Sequence, residues 1–358
     1  MVNRPVKKKG KAGAMTVDTV LWSDVRDLIL EARRNVVRGV NAALVWTNFE
    51  IGRRIVEHEQ RGKARAEYAE ETLKSLSQKL TAEFGKGYSV DNLQRMRAFY
   101  LIYQKYATLS RISEKKISQT VSRISPSAFP LSWSHYVFLI GIEDENERRF
   151  YEIESDNQNW SLRELRRQFN SSLYERLALS RDKKKVHDLG RRGQIVEKPE
   201  DLMKDPYVLE FLGLKEESAY SETDLETSII NRIEHFLLEL GKGFLFEARQ
   251  KRFTFEDRHF RVDLVFYNRI LRCYVLIDLK IGELTHQDLG QMQMYVNYYD
   301  RFVKTPEENK TVGIILCKRK NNSLVEITLP EHSRVFARKY QLYLPTKAEL
   351  KAQLDEKA

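Results

Sequence analysis

Cysteine is scarce in this chain: two residues, Cys273 and Cys317, among 358. Both fall in apolar runs without the spacing of metal ligands. Neither a disulfide framework nor a zinc site is therefore expected, and small core thiols in a reducing cytoplasm are. Long apolar runs are missing too. Nothing approaches the ~18 consecutive apolar residues of a membrane-spanning helix, so no membrane segment is expected. The basic start of the chain, with Arg4, Lys7, Lys8, Lys9 and Lys11, has no apolar stretch after it, and a secretory signal is not expected there. No internal repeat is evident.

What is present describes a folded, basic protein. Hydrophobic residues make up 42% and charged residues 31%, a globular balance, and 358 residues suggest two domains, each with its own core. The formal net charge of +10 favours a polyanionic partner, although residues 1–15 alone supply half of it. That segment reads either as a disordered, solubilising tail or as a nonspecific arm touching DNA.

Residues 16–180 read as almost all helix. Apolar periods predict helices over Leu21–Val40, Ala42–Glu59 and Tyr68–Phe84. Gly85-Lys86-Gly87 breaks the pattern, and Ser89 caps a further helix from Val90 to about Tyr103. Helix, glycine turn and helix is the outline of a helix-turn-helix, and equally of a plain helical hairpin. In the first case Gln94 and Arg95 lie on the groove-facing side, opposite the stripe of Val90, Leu93, Met96 and Tyr100. Ala107–Pro130 reads as a loop. A capping box at Ser161 and Glu164 starts another helix, whose Arg163 and Arg167 project away from the core and can contact phosphates or simply face solvent.

Residues 181–205 carry eight basic and six acidic residues around two glycines and a proline, and read as a domain linker. Beyond it, Pro206–Leu212 reads as a short docking helix, 206–345 as a second domain, and 346–358 as a C-terminal tail or helix.

The second domain carries the chemistry. Asp263 lies near the start of the apolar run to Tyr267, Asn268-Arg269 makes a turn, and a second apolar run leads to Asp278-Leu279-Lys280. Two neighbouring antiparallel strands follow, with the acids side by side. Asp278 and Lys280, two apart, leave one face of the sheet while Leu279 enters the core on the other. Two carboxylates and an amine are what metal-dependent phosphodiester hydrolysis needs: oxygen ligands for Mg²⁺, and a cation beside the attacking water. On the helix from Asp224 to Leu240, Glu226 falls on the buried stripe of Ile229, Ile233 and Leu237, where an acid needs a partner.

Residues 222–320 resemble a PD-(D/E)xK nuclease core, of restriction-endonuclease-like α/β fold: a helix, strands near 252–255, 260–267 and 271–279, a helix over 285–298 and a strand over 312–317. More widely, Leu131-Ser132-Trp133-Ser134-His135-Tyr136, Trp160–Gln168, Phe236–Phe244 and Gly290-Gln291-Met292-Gln293-Met294-Tyr295 resemble the YhcG family of nucleases. The resemblance implies a metal-dependent nuclease acting on DNA, linked to restriction or mobile-element defence. It implies Mg²⁺ or Mn²⁺ held by Asp263, Asp278 and the Leu279 carbonyl, helped by Glu226, with Lys280 positioning and deprotonating the water and Gln291 or Gln293 orienting Lys280 or the phosphate. Val262 stands in place of the motif's proline. Asp278 stands where the family more often has glutamate, so an inactive accessory protein that binds DNA is the alternative reading. A homodimer formed mainly by residues 16–180 and a restriction-modification partner are the expected associations.

Overall fold

A computed structural model of the chain describes residues 19–61, 66–114, 129–181, 183–214, 220–255 and 257–356. The basic tail and most of the expected loop over 107–130 lie outside them. The chain divides into two compact units, 1–140 and 141–358.

The first unit is helical: α1 (Thr19–Arg61), α2 (Ala66–Phe84), α3 (Val90–Glu114) and α4 (Trp133–Leu139). The helices expected over Leu21–Val40 and Ala42–Glu59 are one, α1, which runs unbroken through both. Its C-terminal half buries Ala42, Val45, Phe49 and Val56 at helical spacing. At Gly52 it meets α3 so closely that a Cβ would lie 2.0 Å from the Met96 carbonyl oxygen. Phe49, Phe99, Phe129 and Tyr136 then interlock, with ring centroids 5.0 to 5.9 Å apart in the contacts of Phe99. The turn between α2 and α3 places Gly85 and Gly87 at φ of 82° and 124°. Ser89 caps α3, its hydroxyl accepting from the Asn92 N–H at 3.3 Å. Helix α3 continues to Glu114, past the expected end at Tyr103.

The second unit begins with α5 (Glu145–Asn157), α6 (Leu162–Asn170), α7 (Leu173–Leu179) and α8 (Lys183–Arg192). The segment expected as an open linker is instead packed. Helix α8 lies on α5, and Leu202, Met203 and Lys204 are buried. One of its charges has a partner that the sequence did not reveal: Lys204 reaches Glu239, which Arg176 of α7 also meets, and all three are buried. Lys242 meets Glu154 of α5 at 2.8 Å.

A six-stranded mixed sheet follows, in the order β1-β6-β5-β4-β3-β2. Its strands are β1 (Tyr207–Val208), β2 (Phe244–Phe255), β3 (Arg258–Asn268), β4 (Cys273–Glu283), β5 (Val312–Arg319) and β6 (Val335–Gln341). Where a short helix was expected at 206–212, the chain forms β1 and one 3₁₀ turn. Helices α9 (Glu222–Asn231) and α10 (Ile233–Leu240) cover one face, and α11 (His286–Tyr298) the other. The remaining helices are α12 (Asn322–Thr328) and α13 (Lys347–Glu356). The expected single helix over 224–240 is two, parted at Arg232, whose φ of −128° is not helical. Helix α11 can approach the sheet because β5 has Gly313, where a Cβ would fall 2.6 Å from the Met292 side chain.

Strands β2, β3 and β4 are antiparallel, while β4, β5, β6 and β1 are parallel. Asn268 closes the β3–β4 turn as anticipated, its side-chain oxygen accepting from the N–H groups of Ile270 and Leu271. Cys273 and Cys317 are free, buried core thiols, pushed up to about 11 by burial. Among the described residues no helix is long and apolar enough to cross a membrane.

Candidate active site

The β3–β4 ladder fixes the two acids. Its last registered pair is Leu264 with Ile277, so the next position along sets Asp263 opposite Asp278. There the backbone ladder gives way to side chains. Asp263 Oδ2 accepts from the Leu279 N–H at 2.9 Å, and Oδ1 from Gln250 Nε2 at 3.1 Å. Asp278 is 4% exposed, with Lys280 Nζ 3.0 Å from its Oδ2. Leu279 between them is buried in the core on the α9–α10 side, as the alternation required.

Electrostatics follow from this crowding. Burial, then the charge of Asp263, pushes the Asp278 carboxyl up to about 7, and Lys280 only partly offsets them. Lys280 moves the other way: burial would lower it, but Asp278, Glu222 and Asp263 together hold it above the ordinary lysine value. Glu222, at the start of α9, is 3.5 Å from Lys280 Nζ, and Asp288, in the first turn of α11, is 4.0 Å away. Lys280 Nζ here is an ammonium gripped by carboxylates.

Glu226 reaches the same cluster from α9. It is buried and accepts from Gln250 Nε2, the atom that also serves Asp263. Burial raises its pKa, with the Asp263 charge adding to that effect. Its Oε1 has no hydrogen-bond partner among the described residues, and Arg249 Nε lies 3.7 Å from that oxygen. Gln250 thus ties Glu226 to Asp263. Its φ of 47° marks a local distortion of β2.

The other expected site residues separate. Gln291 is exposed, and Gln293 donates to Asn297 at 3.1 Å and accepts from Ser333 at 3.1 Å; neither amide hydrogen-bonds to the acids. Tyr295, one turn after Gln291, is buried, its hydroxyl raised to about 12 by burial and then by Asp278 and Asp263. Gln94 and Arg95 are exposed on α3 in the other unit, opposite buried Leu93 and Met96. Arg163 is exposed. Arg167 does not project freely: it lies 3.6 Å from Glu164 and 4.0 Å from Glu210, over the Phe211 ring.

Sequence reading missed Gln250, Glu222 and Asp288. Ser221, three residues before Asp224, is the capping signal that starts α9 early enough to include Glu222. Thr285 and Asp288 form the same box on α11. Gln250 carries no such signal, because its strand is an exposed edge without alternation.

The donor set suits a hard divalent ion. Asp263 and Asp278 offer oxygen ligands side by side, and two like charges confined in a buried corner favour a cation between them. Among the described residues no three His, Cys, Asp or Glu side chains converge as a metal centre. Mg²⁺ commonly uses one or two carboxylates and keeps most of its water, which a pair of this kind suits.

A sheet with paired acids and a lysine on its central strands, flanked by helices on both faces, defines a PD-(D/E)xK nuclease domain. Residues 200–355 match the family model of the YhcG PDDEXK nuclease domain, and residues 24–176 match the DUF1016 N-terminal domain. The chain is 40% identical over 342 residues, 91% of each sequence, to "Putative nuclease YhcG" of Escherichia coli (strain K12). It belongs to the YhcG nuclease family. Among solved structures it resembles a repair endonuclease from Pyrococcus abyssi, at 20% identity, 36% of this chain and 50% of that one, with a TM-score of 0.25. It also resembles EndoMS in a complex with double-stranded DNA, at 17% identity, 37% and 48%, with a TM-score of 0.26. The chain thus spans about half the length of either, and overlaps this slight add nothing to the family assignment.

Proposed function

We propose that the chain hydrolyses phosphodiester bonds in DNA with the help of Mg²⁺ or Mn²⁺ held by Asp263 and Asp278. One observation carries the reading: two carboxylates opposite each other at the end of the β3–β4 ladder, with Lys280 Nζ 3.0 Å from the second. When bound, the ion supplies Lewis acidity to a phosphoryl oxygen and acidifies a water.

The chain's own groups account for the rest. The Leu279 N–H and the Gln250 amide fix both oxygens of Asp263, so its orientation is set before any ligand arrives. Lys280 would offer its N–H donors to the attacking water or to a phosphate oxygen, where negative charge builds in the transition state. Glu226, held by the same Gln250, is placed to receive a proton from water on the α9 side. Aspartate in place of glutamate at 278 shortens the ligand by one methylene while retaining its charge and its lysine contact, which supports an active site over an inert one. The basic balance of the chain supports a polyanionic substrate.

Incubation of the purified chain with supercoiled plasmid, linear duplex and RNA tests the proposal. Divalent-dependent cleavage of DNA, stopped by EDTA, is expected. Intact DNA at every divalent concentration, or cleavage of RNA alone, contradicts it.

A further inference from the structure

Strands β2 and β3 run on together after β3 has left the sheet. Their pairing continues from Arg249 and Leu264 to Phe255 and Arg258, whereas β3 pairs with β4 no further than Leu264 and Ile277. A two-stranded arm therefore projects from the catalytic end of the sheet, starting at Asp263. From Asp263 to Arg258 it reaches roughly 17 Å at the usual rise per residue.

The two faces of the arm differ. Phe253, Phe260 and Val262 pack into the core beneath α11. Arg252 and Arg261 alternate with them, so they stand on the opposite face, and both are exposed. The register puts these two arginines directly across from each other. Like charges in that position repel and destabilise a hairpin. Next to them Thr254 and His259 also pair, at 2.9 Å between Oγ1 and Nδ1, and Arg258 is exposed at the end. Lys251 has Glu247 at 4.0 Å, but no acid among the described residues pairs with Arg252, Arg258 or Arg261. An arm that keeps unpaired arginines in register, two residues from a catalytic carboxylate, is built for a polyanion.

We propose that the β2–β3 arm is a DNA-binding element, with Arg252 and Arg261 on phosphates of the strand next to the scissile bond and Arg258 reaching further along the duplex. This rests on the nuclease reading for the site and adds where the substrate runs. The arm holds the backbone by charge, so it confers affinity and placement without reading sequence.

The test uses the full-length chain and a fluorescein-labelled duplex, with binding followed by anisotropy in Ca²⁺ across a salt series, and plasmid cleavage measured in parallel in Mg²⁺. The double variant Arg252→Ala/Arg261→Ala should bind about tenfold or more weakly at moderate salt. Its log Kd against log salt should be shallower by about two, since each lost phosphate contact removes close to one unit of slope. Its thermal midpoint should be unchanged or higher, because a repulsive pair is gone. Arg269→Ala/Lys310→Ala removes the same charge at the opposite end of the sheet and should leave the slope as it was. Unaltered affinity and slope in the arm variant, or an equal loss in the control, overturns the proposal. If the unaltered chain cleaves DNA and the arm variant binds and cuts as well, only the arm assignment falls; if the unaltered chain neither binds nor cuts, the nuclease reading falls with it.

Discussion

Asp263 accepts the Leu279 N–H at 2.9 Å, so a side chain of β3 takes over the hydrogen bond that the backbone of that strand stops making. The end of the β3–β4 ladder and the start of the active site are one feature. The bond holds one carboxylate in place while Asp278, one residue before Leu279, carries its own into the same corner. Whatever disturbs the strand end disturbs the site, and the residues around it can be ranked by how firmly they hold that end.

Gln250 holds it through a single amide nitrogen shared by Glu226 and Asp263. Gln250→Ala should reduce cleavage by roughly ten- to a hundredfold, the range expected when a positioning hydrogen bond is lost and the catalytic groups remain. Divalent affinity should fall with it, while the thermal midpoint moves little. Calorimetric titration with Mn²⁺ alongside single-turnover rates gives both numbers. An unchanged rate would show that Asp263 needs no support from β2.

Asp278 predicts a pH dependence. Its folded pKa, near 7, lies above the ordinary aspartate value of about 3.9. The folded state therefore binds the proton more tightly than the unfolded state, and this contribution to stability is present at low pH and lost as pH rises from about 4 to about 7. Metal-free protein should melt several degrees higher at pH 5.5 than at pH 8 on this account. Asp278→Asn should flatten that trend and abolish divalent-induced stabilisation. Because the ion needs the ionised form, it competes with the proton, and divalent affinity should weaken as pH drops. A variant that keeps the full pH trend of the parent would assign it to another group.

Truncation tests the packing of the segment expected as a linker. Arg176 and Lys204 are the cations that hold the Glu239 carboxylate below its ordinary range against the effect of burial. A fragment of residues 206–358 lacks both and leaves Glu239 buried without a cation, a loss of about 3–5 kcal/mol. That is comparable to the whole stability of a small domain. Residues 141–358 should melt cooperatively by circular dichroism, whereas 206–358 should not. A cooperative melt of the shorter fragment at a similar temperature would return 181–205 to the role of a linker.

Helix α1 suggests self-association. Leu21, Trp22, Val25, Leu28, Ile29, Val36 and Val40 are all exposed, from 43% to 67%, at spacings that keep most of them near one another along the helix. A homodimer through this half of α1 is the expected state. Light scattering of the full chain should give twice the monomer mass at micromolar concentration, and Leu28→Asp/Val36→Asp should halve it. A monomer throughout would leave the apolar stretch for another partner.

The site could be read in the sequence as far as residues on strands with strong alternation allowed. Asp263, Asp278 and Lys280 sit at the ends of apolar runs whose period is visible, and the turn at Asn268 sets their register. Gln250 was illegible because β2 is an exposed edge with a bulge between Phe246 and Ala248, and such a strand shows no period. The linker was misread because charge was taken for exposure; Lys204 is buried by virtue of a partner distant in sequence, Glu239. Gln293 shows the limit of motif likeness: it shares α11 with Tyr295, but its side chain is committed to Ser333 and Asn297.

The most direct measurement is plasmid cleavage by the unaltered chain, Asp263→Ala and Lys280→Ala, each with Mg²⁺, with Mn²⁺ and with EDTA. The account predicts cutting by the unaltered chain with a divalent ion only, and a loss of at least about a hundredfold in either variant, the scale on which single transition-state contacts act. Circular dichroism should show both variants folded, and both should still bind DNA. Cleavage in EDTA, or near-parental rates from a folded Asp263→Ala protein, would contradict it.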